Sequence, residues 1–258
     1  MLRISAFLLG AALASAAPPA FEVKPRAINL FTAPLSARAQ KLAATGGNPP
    51  VFDVKCAVVV PEGFTPAKPW PILIWNAAQN SQAIEAIGPI APTVAAAGWV
   101  LLAADGATPA KIETTEWCSA MLAGAIDQLE REWPGVRKWP IATGGFSGGS
   151  KRTPYISAVL IENRYRVIGM FLGGCNEDRA TDALRWHKPG PAFLQTPVFL
   201  SGGAQDRTAN VDEQEAVAAS LKKTGFVRVR RESYEGGHEL HAPHLAEALR
   251  WFANPVPR

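Results

Sequence analysis

Cysteine is scarce in this sequence, net charge is small and long apolar runs are few, and each shortage removes a class of protein. The three cysteines, Cys56, Cys118 and Cys175, lack the close paired spacing of a zinc site. In an exported chain they would permit one disulfide, with three pairings open and one thiol left over. Cys118 also shares a helical stripe with Met121, Leu122, Ala125, Ile126 and Leu129, which suits a small buried hydrophobe. The formal charge of +4, or +3 once Arg3 is removed, is too mild and too scattered for a nucleic-acid binder. Arg228, Arg230 and Arg231 do cluster, but on a predicted strand, where they read as a solvated face. Three of the four histidines, His238, His241 and His244, lie close together, yet Pro243 is expected to interrupt the helix that a two-histidine metal site needs, so no metal is expected. No internal repeat and no long linker divides the chain.

The apolar run at residues 4–13 is too short to span a bilayer as a helix, and no other segment is long and apolar enough to do so. It follows a basic start, Met1-Leu2-Arg3, and precedes Ala14-Ser15-Ala16, a small-x-small site. That pattern predicts a secretory signal peptide over residues 1–16 and a periplasmic or secreted protein; no cysteine near the cleavage site offers a lipid anchor. Roughly 240 residues then remain, enough for one domain with a full core. Residues 17–50, with Pro18, Pro19, Pro25, Pro34, Pro49 and Pro50, are expected to form an extended arm around a domain at 51–254, and residues 255–258 a loose tail. Within the domain, strands are predicted at 52–60, 71–75, 99–103, 139–143, 166–172, 198–201 and 227–234, and helices at 90–97, 115–133, 151–163, 212–223 and 244–252. This alternation predicts an α/β fold, a mainly parallel central sheet with helices on both faces and a ligand site at the carboxyl ends of the strands.

Chemistry concentrates at Gly144-Gly145-Phe146-Ser147-Gly148-Gly149-Ser150, which sets Ser147 in a G-x-S-x-G frame directly after a predicted strand. Such a frame is the sequence form of a nucleophile elbow: the turn is too tight for side chains on its flanks, so glycines at 145 and 149 let strand and helix approach while the serine is held exposed. Gly144 and Gly149 also give the spacing of a phosphate-binding loop, but Ser150-Lys151 reverses the Lys-Ser order that loop requires. Downstream, Asp206 follows the strand at 198–201, and His238 follows the strand at 227–234 in Glu235-Gly236-Gly237-His238. Glu177 and Asp178 follow another strand and are alternative acids.

On Gly145-Phe146-Ser147-Gly148-Gly149, Gly203-Ala204-Gln205-Asp206 and Tyr234-Glu235-Gly236-Gly237-His238, the chain resembles the α/β-hydrolases over residues 50–254, nearest to their exported carboxylesterase, phospholipase/carboxylesterase-like and polyhydroxybutyrate-depolymerase-like branches. The resemblance implies a serine hydrolase acting on an ester without a cofactor, with Ser147 as nucleophile, His238 as general base and Asp206 as orienting acid. It also implies an oxyanion hole from the backbone amides of Gly148 and of Ala77, after the strand at 71–75. There the family usually has His-Gly, whereas this chain has Asn76-Ala77-Ala78-Gln79, and an alanine forced to positive φ would be strained. The Asn76 side-chain amide is a further candidate donor. Residues 176–195 read as an irregular insert capping the site, so Asn176, Glu177 and Trp186, with Phe146 beside the serine, are candidate substrate contacts. Their polar and aromatic character suits a small-molecule, polar or carbohydrate-linked acyl ester better than a long lipid. The oligomeric state is left open, and the alternative function is a ligand-binding protein that keeps the fold without turnover.

Overall fold

Apolar runs build the strands, and alternation along each run decides which layer a side chain enters. In β2 (Asp53–Val59), Val54, Cys56 and Val58 enter one core, while Ala57 and Val59 enter the core on the opposite face. The computed structural model describes residues 21–78, 81–106 and 110–254; the expected leader at 1–16 and tail at 255–258 lie outside them. The other strands are β1 (Asn29–Pro34), β3 (Ile72–Asn76), β4 (Val100–Gly106), β5 (Ile141–Phe146), β6 (Val167–Gly173), β7 (Val198–Gly203) and β8 (Val229–Tyr234). They form one sheet in the order β1-β2-β4-β3-β5-β6-β7-β8. β2 pairs antiparallel with both β1 and β4, and every pairing from β4 to β8 is parallel.

Helices cover both faces, as the alternation of elements predicts. α1 (Ala37–Ala43), α4 (Thr115–Glu132), α5 (Gly148–Glu162), α6 (Arg179–His187) and α8 (Val211–Thr224) pack on one side. α2 (Ala83–Ala86), α3 (Ala91–Ala96) and α9 (Ala242–Ala253) pack on the other, over Trp99, Phe171 and Phe199, which are fully buried. Burying each of these aromatic side chains stabilises the fold by about 2–3 kcal/mol. Local signals set the helix ends. Thr114 caps α4 by accepting from the Trp117 amide, and Asn210 and Glu213 form a reciprocal capping box at α8, which ends at Gly225 with φ 109°.

Two expectations need correction. The described part of the arm is not simply extended: β1 completes the sheet edge, and α1 packs on α4. Residues 176–195 are mostly helical, forming α6 and the short α7 (Pro191–Gln195), and these pack against α5 and α8 instead of lying as an irregular cap. None of the three cysteines is paired. Burial pushes the Cys56 thiol up to about 12 and the Cys118 thiol up to about 11, so both stay protonated and behave as small hydrophobes. Pro243 sits in the first turn of α9, which starts only at Ala242, so His238 and His241 lie outside the helix that carries His244, as expected.

Candidate active site

Parallel strands deliver their carboxyl ends to one edge of the sheet, and three loops leaving that edge carry Ser147, Asp206 and His238. Ser147 joins β5 directly to α5 with φ 54° and ψ −119°, a conformation L-residues rarely adopt. Two close approaches hold it there. A Cβ on Gly145 would lie 2.3 Å from the Gly149 carbonyl carbon, and one on Gly149 would lie 2.1 Å from the Asn76 oxygen, so only glycine fits at either position. The Ser147 amide donates to the Gly173 carbonyl at 2.8 Å, and the Ser150 hydroxyl donates to the Ser147 carbonyl at 2.5 Å. The serine hydroxyl is left half-buried, facing the loop after β8.

His238 stands between the other two residues. Its Nε2 lies 2.9 Å from Ser147 Oγ, and its Nδ1 lies 2.8 Å from Asp206 Oδ2. Asp206 is buried, and its Oδ1 accepts from the Thr208 and Ala209 amides at 2.8 and 2.9 Å. Burial alone would raise its carboxyl, but those amides and His238 outweigh it and hold it below the ordinary carboxylate value. The alternative acids are engaged elsewhere. Asp178 caps α6 by accepting from the Ala180 and Thr181 amides, and Glu177 pairs with Arg179 at 2.8 Å and Lys151 at 3.4 Å.

Gln205 and Gln214 support this geometry, although sequence reasoning gave neither a role. Gln205 ties the acid loop to the histidine loop, donating to the Glu235 carboxylate and accepting from the Gly236 amide. Buried Gln214 on α8 donates to the Gly203 and Ala209 carbonyls, bracing both ends of the turn that carries Asp206. The signal available was position: one precedes Asp206 directly, and the other lies on the helix that follows the acid loop.

The remaining candidates divide. Phe146 lies with its ring 4.8 Å from that of His238, and Asn176 donates to the Thr208 carbonyl at 2.9 Å, tying the end of β6 to the acid loop. Gly148 is the first residue of α5, so its amide has no acceptor within the helix. Ala77 is buried at the end of β3, against the elbow, and does not take positive φ, so the expected strain is absent. Asn76 does not direct its amide at the site. Both of its amide hydrogens turn inward, to the Gly144 carbonyl and the Thr153 hydroxyl, each at 3.2 Å. Trp186 lies away from the serine on α6, 70% exposed and stacked on Tyr155, which leaves it outside the site. His241 stacks on Tyr234, and His244 Nδ1 lies 2.9 Å from Ser201 Oγ. Among the described residues no group of three histidine, cysteine, aspartate or glutamate side chains is placed to hold a metal, and no helix is long and apolar enough to cross a membrane.

No family model and no curated protein matches the sequence. Solved structures do match. A bacterial heroin esterase is similar at TM-score 0.60 and 19% identity, covering 89% of this chain and 85% of its own. A ferulic acid esterase is similar at TM-score 0.59 and 12% identity, covering 87% and 98%. A serine hydrolase without a lid from Xanthomonas campestris is similar at TM-score 0.56 and 14% identity, covering 92% and 96%. At these identities the likeness is one of architecture, and this chain has the α/β-hydrolase fold.

Proposed function

We propose that the protein is an exported serine hydrolase that cleaves a carboxylic ester through a covalent acyl-enzyme. One observation carries this reading: the unbroken path from Asp206 through His238 to Ser147, with contacts of 2.8 and 2.9 Å, ending on a serine held at φ 54°. With its proton on Nδ1, His238 donates to Asp206 and accepts from the Ser147 hydroxyl. Ser147 Oγ attacks the ester carbonyl as its proton passes to Nε2, and Asp206 stabilises the imidazolium. The carbonyl π electrons move onto oxygen, and the Gly148 and Ala77 amides are the donors assigned to that oxyanion. Collapse expels the alcohol, which takes the proton from His238. Water deprotonated by His238 then attacks the acyl-enzyme, releasing the acid and restoring Ser147. Export rests on the residue 1–16 pattern and is tested by locating the processed chain after expression with its own leader.

Fluorophosphonate labelling followed by peptide mapping tests the chemistry. Label is expected on Ser147, with labelling and p-nitrophenyl acetate turnover both lost in Ser147→Ala. His238→Ala should lower turnover by about four orders of magnitude. Label on Ser150 or Ser201, or none on folded protein, would overturn the assignment in favour of a binding protein that keeps the fold.

A further inference from the structure

A chamber of about 350 Å³ opens beside Asn76 and Ala77 on the β4 side of β3, whereas Ser147 leaves β5 on the other side. That volume falls within the range of small-molecule sites. Four charged side chains line it, Lys55, Asp105, Glu113 and Arg152, and their formal charges sum to zero. Three of them are held in place. Arg152 donates to Glu113 at 2.8 Å with both side chains largely buried, and the two Asp105 oxygens accept from the Ala83 and Ile84 amides at 2.9 and 2.8 Å. Trp117, largely buried, lies in the same wall, while the Trp75 ring packs against Phe171 on the other face of the sheet. Leu122 and Ile156 line both this chamber and a second cavity of about 260 Å³ between α1, α4 and α5, and so stand as the partition between them.

This lining discriminates between ligands. An alkyl chain would strip water from four charged groups and return no hydrogen bond, a penalty of several kcal/mol. An ionic ligand would meet as much repulsion as attraction. A neutral, hydroxyl-rich ring satisfies the wall, since hydroxyls both donate to carboxylates and accept from a guanidinium while the ring's C–H face lies on indole. We propose that the chamber is the subsite for a sugar-like alcohol portion of the ester, with Asp105, Glu113 and Arg152 as its hydrogen-bonding wall. The assignment rests on the ester-hydrolase reading. It also moves sugar recognition away from Trp186, which lies outside the site.

The test compares monoacetylated glucose, p-nitrophenyl acetate and p-nitrophenyl hexanoate on wild type, Cys118→Phe and the Glu113→Gln/Arg152→Gln double variant. Cys118 lies in the chamber wall, so phenylalanine there fills the space, while the double variant removes both charges without filling it. Both variants should lose about tenfold or more in kcat/KM on the sugar ester, mainly through KM, with p-nitrophenyl acetate unchanged within about twofold. Equal losses on all three substrates, no loss on the sugar ester, or a loss confined to the hexanoate would each overturn the proposal. If Cys118→Phe fails to fold, the double variant decides alone. Should wild type resist fluorophosphonate, the hydrolase reading fails separately, and calorimetry with monoacetylated glucose judges the chamber: heat with wild type and none with the double variant sustains it, and no heat with wild type overturns it.

Discussion

The two sides of the β3 end are made by different means. Toward β5, main chain meets main chain: Gly145 against Gly149, Gly149 against the Asn76 carbonyl, the Ser147 amide on the Gly173 carbonyl. Toward β4, the chamber wall includes long side chains, Lys55, Glu113 and Arg152 among them, the last two held by pairing with each other. Atoms that react need tolerances of a few tenths of an ångström, which peptide units can hold because few torsions separate them. A wall that selects a ligand needs only matching chemistry, which substitution can change without moving the backbone. The difference teaches that the proposed chemistry would be guarded by residues with no side chain, and the proposed selectivity by residues with long ones.

Gly149→Ala strikes the main-chain side hardest. Its Cβ would have to displace the Asn76 carbonyl, so p-nitrophenyl acetate turnover should fall by about a hundredfold or more while circular dichroism still reports a folded protein. Turnover within tenfold of wild type would break the comparison, because the elbow would then tolerate what a side-chain wall tolerates.

Acid sharpens the comparison at intermediate size. Burial lowers the His244 value below its ordinary 6.5, helped by His241 and Arg230 and opposed by Glu232 and Glu247. A depressed histidine favours the neutral form in the folded state, so the unfolded chain binds more protons as pH falls. Stability from this group is therefore complete above 6.5 and declines below it. Asp206 is depressed too, but as a carboxylate its contribution survives until pH falls through its own lower range. Tm should thus begin to drop as pH passes below the ordinary histidine value, and His244→Gln should flatten that first slope. An unaltered slope in the variant would assign the decline to other groups.

The smallest effect is expected at Ala77. Read from sequence, an alanine in place of the family's glycine predicts strain and slow turnover, which Ala77→Gly would relieve. Without positive φ at Ala77 there is no strain to relieve, so the variant should turn over p-nitrophenyl acetate within about twofold of wild type. It should also lose up to about 1 kcal/mol of stability in denaturant unfolding, through greater freedom of the unfolded chain. A tenfold gain in rate would show that the loop is held under tension after all.

Strand-end logic made much of the site legible. Ser147, Asp206 and His238 each follow a predicted strand of one parallel sheet, and such strands end together; their 2.8 and 2.9 Å contacts lie where that argument pointed. Asn76 was misread because sequence places a residue at a strand end without saying which way its amide turns; buried Thr153, 77 positions away, decides that. Trp186 was misread because composition cannot distinguish an exposed helix residue from one facing a ligand. β1 and α1 were hidden by prolines that suggested an extended arm, yet Pro34 ends an edge strand, where a lost N–H matters little. The chamber had no local signature, because its walls come from β2, β3, β4, α4 and α5.

Thr153 has a consequence that reaches beyond bonding. Its hydroxyl accepts from Asn76 and donates to the Gly149 carbonyl at 2.9 Å, while the other Asn76 hydrogen goes to Gly144. The end of β3 and the first turn of α5 are thus spliced by one hydroxyl and one amide, all of them buried. Shifting Ala77 relative to Ser147 would rupture both Asn76 hydrogen bonds together in a place where water cannot replace them. The spacing between the Ser147 hydroxyl and the Ala77 amide is therefore gauged from inside the protein, by side chains buried away from solvent.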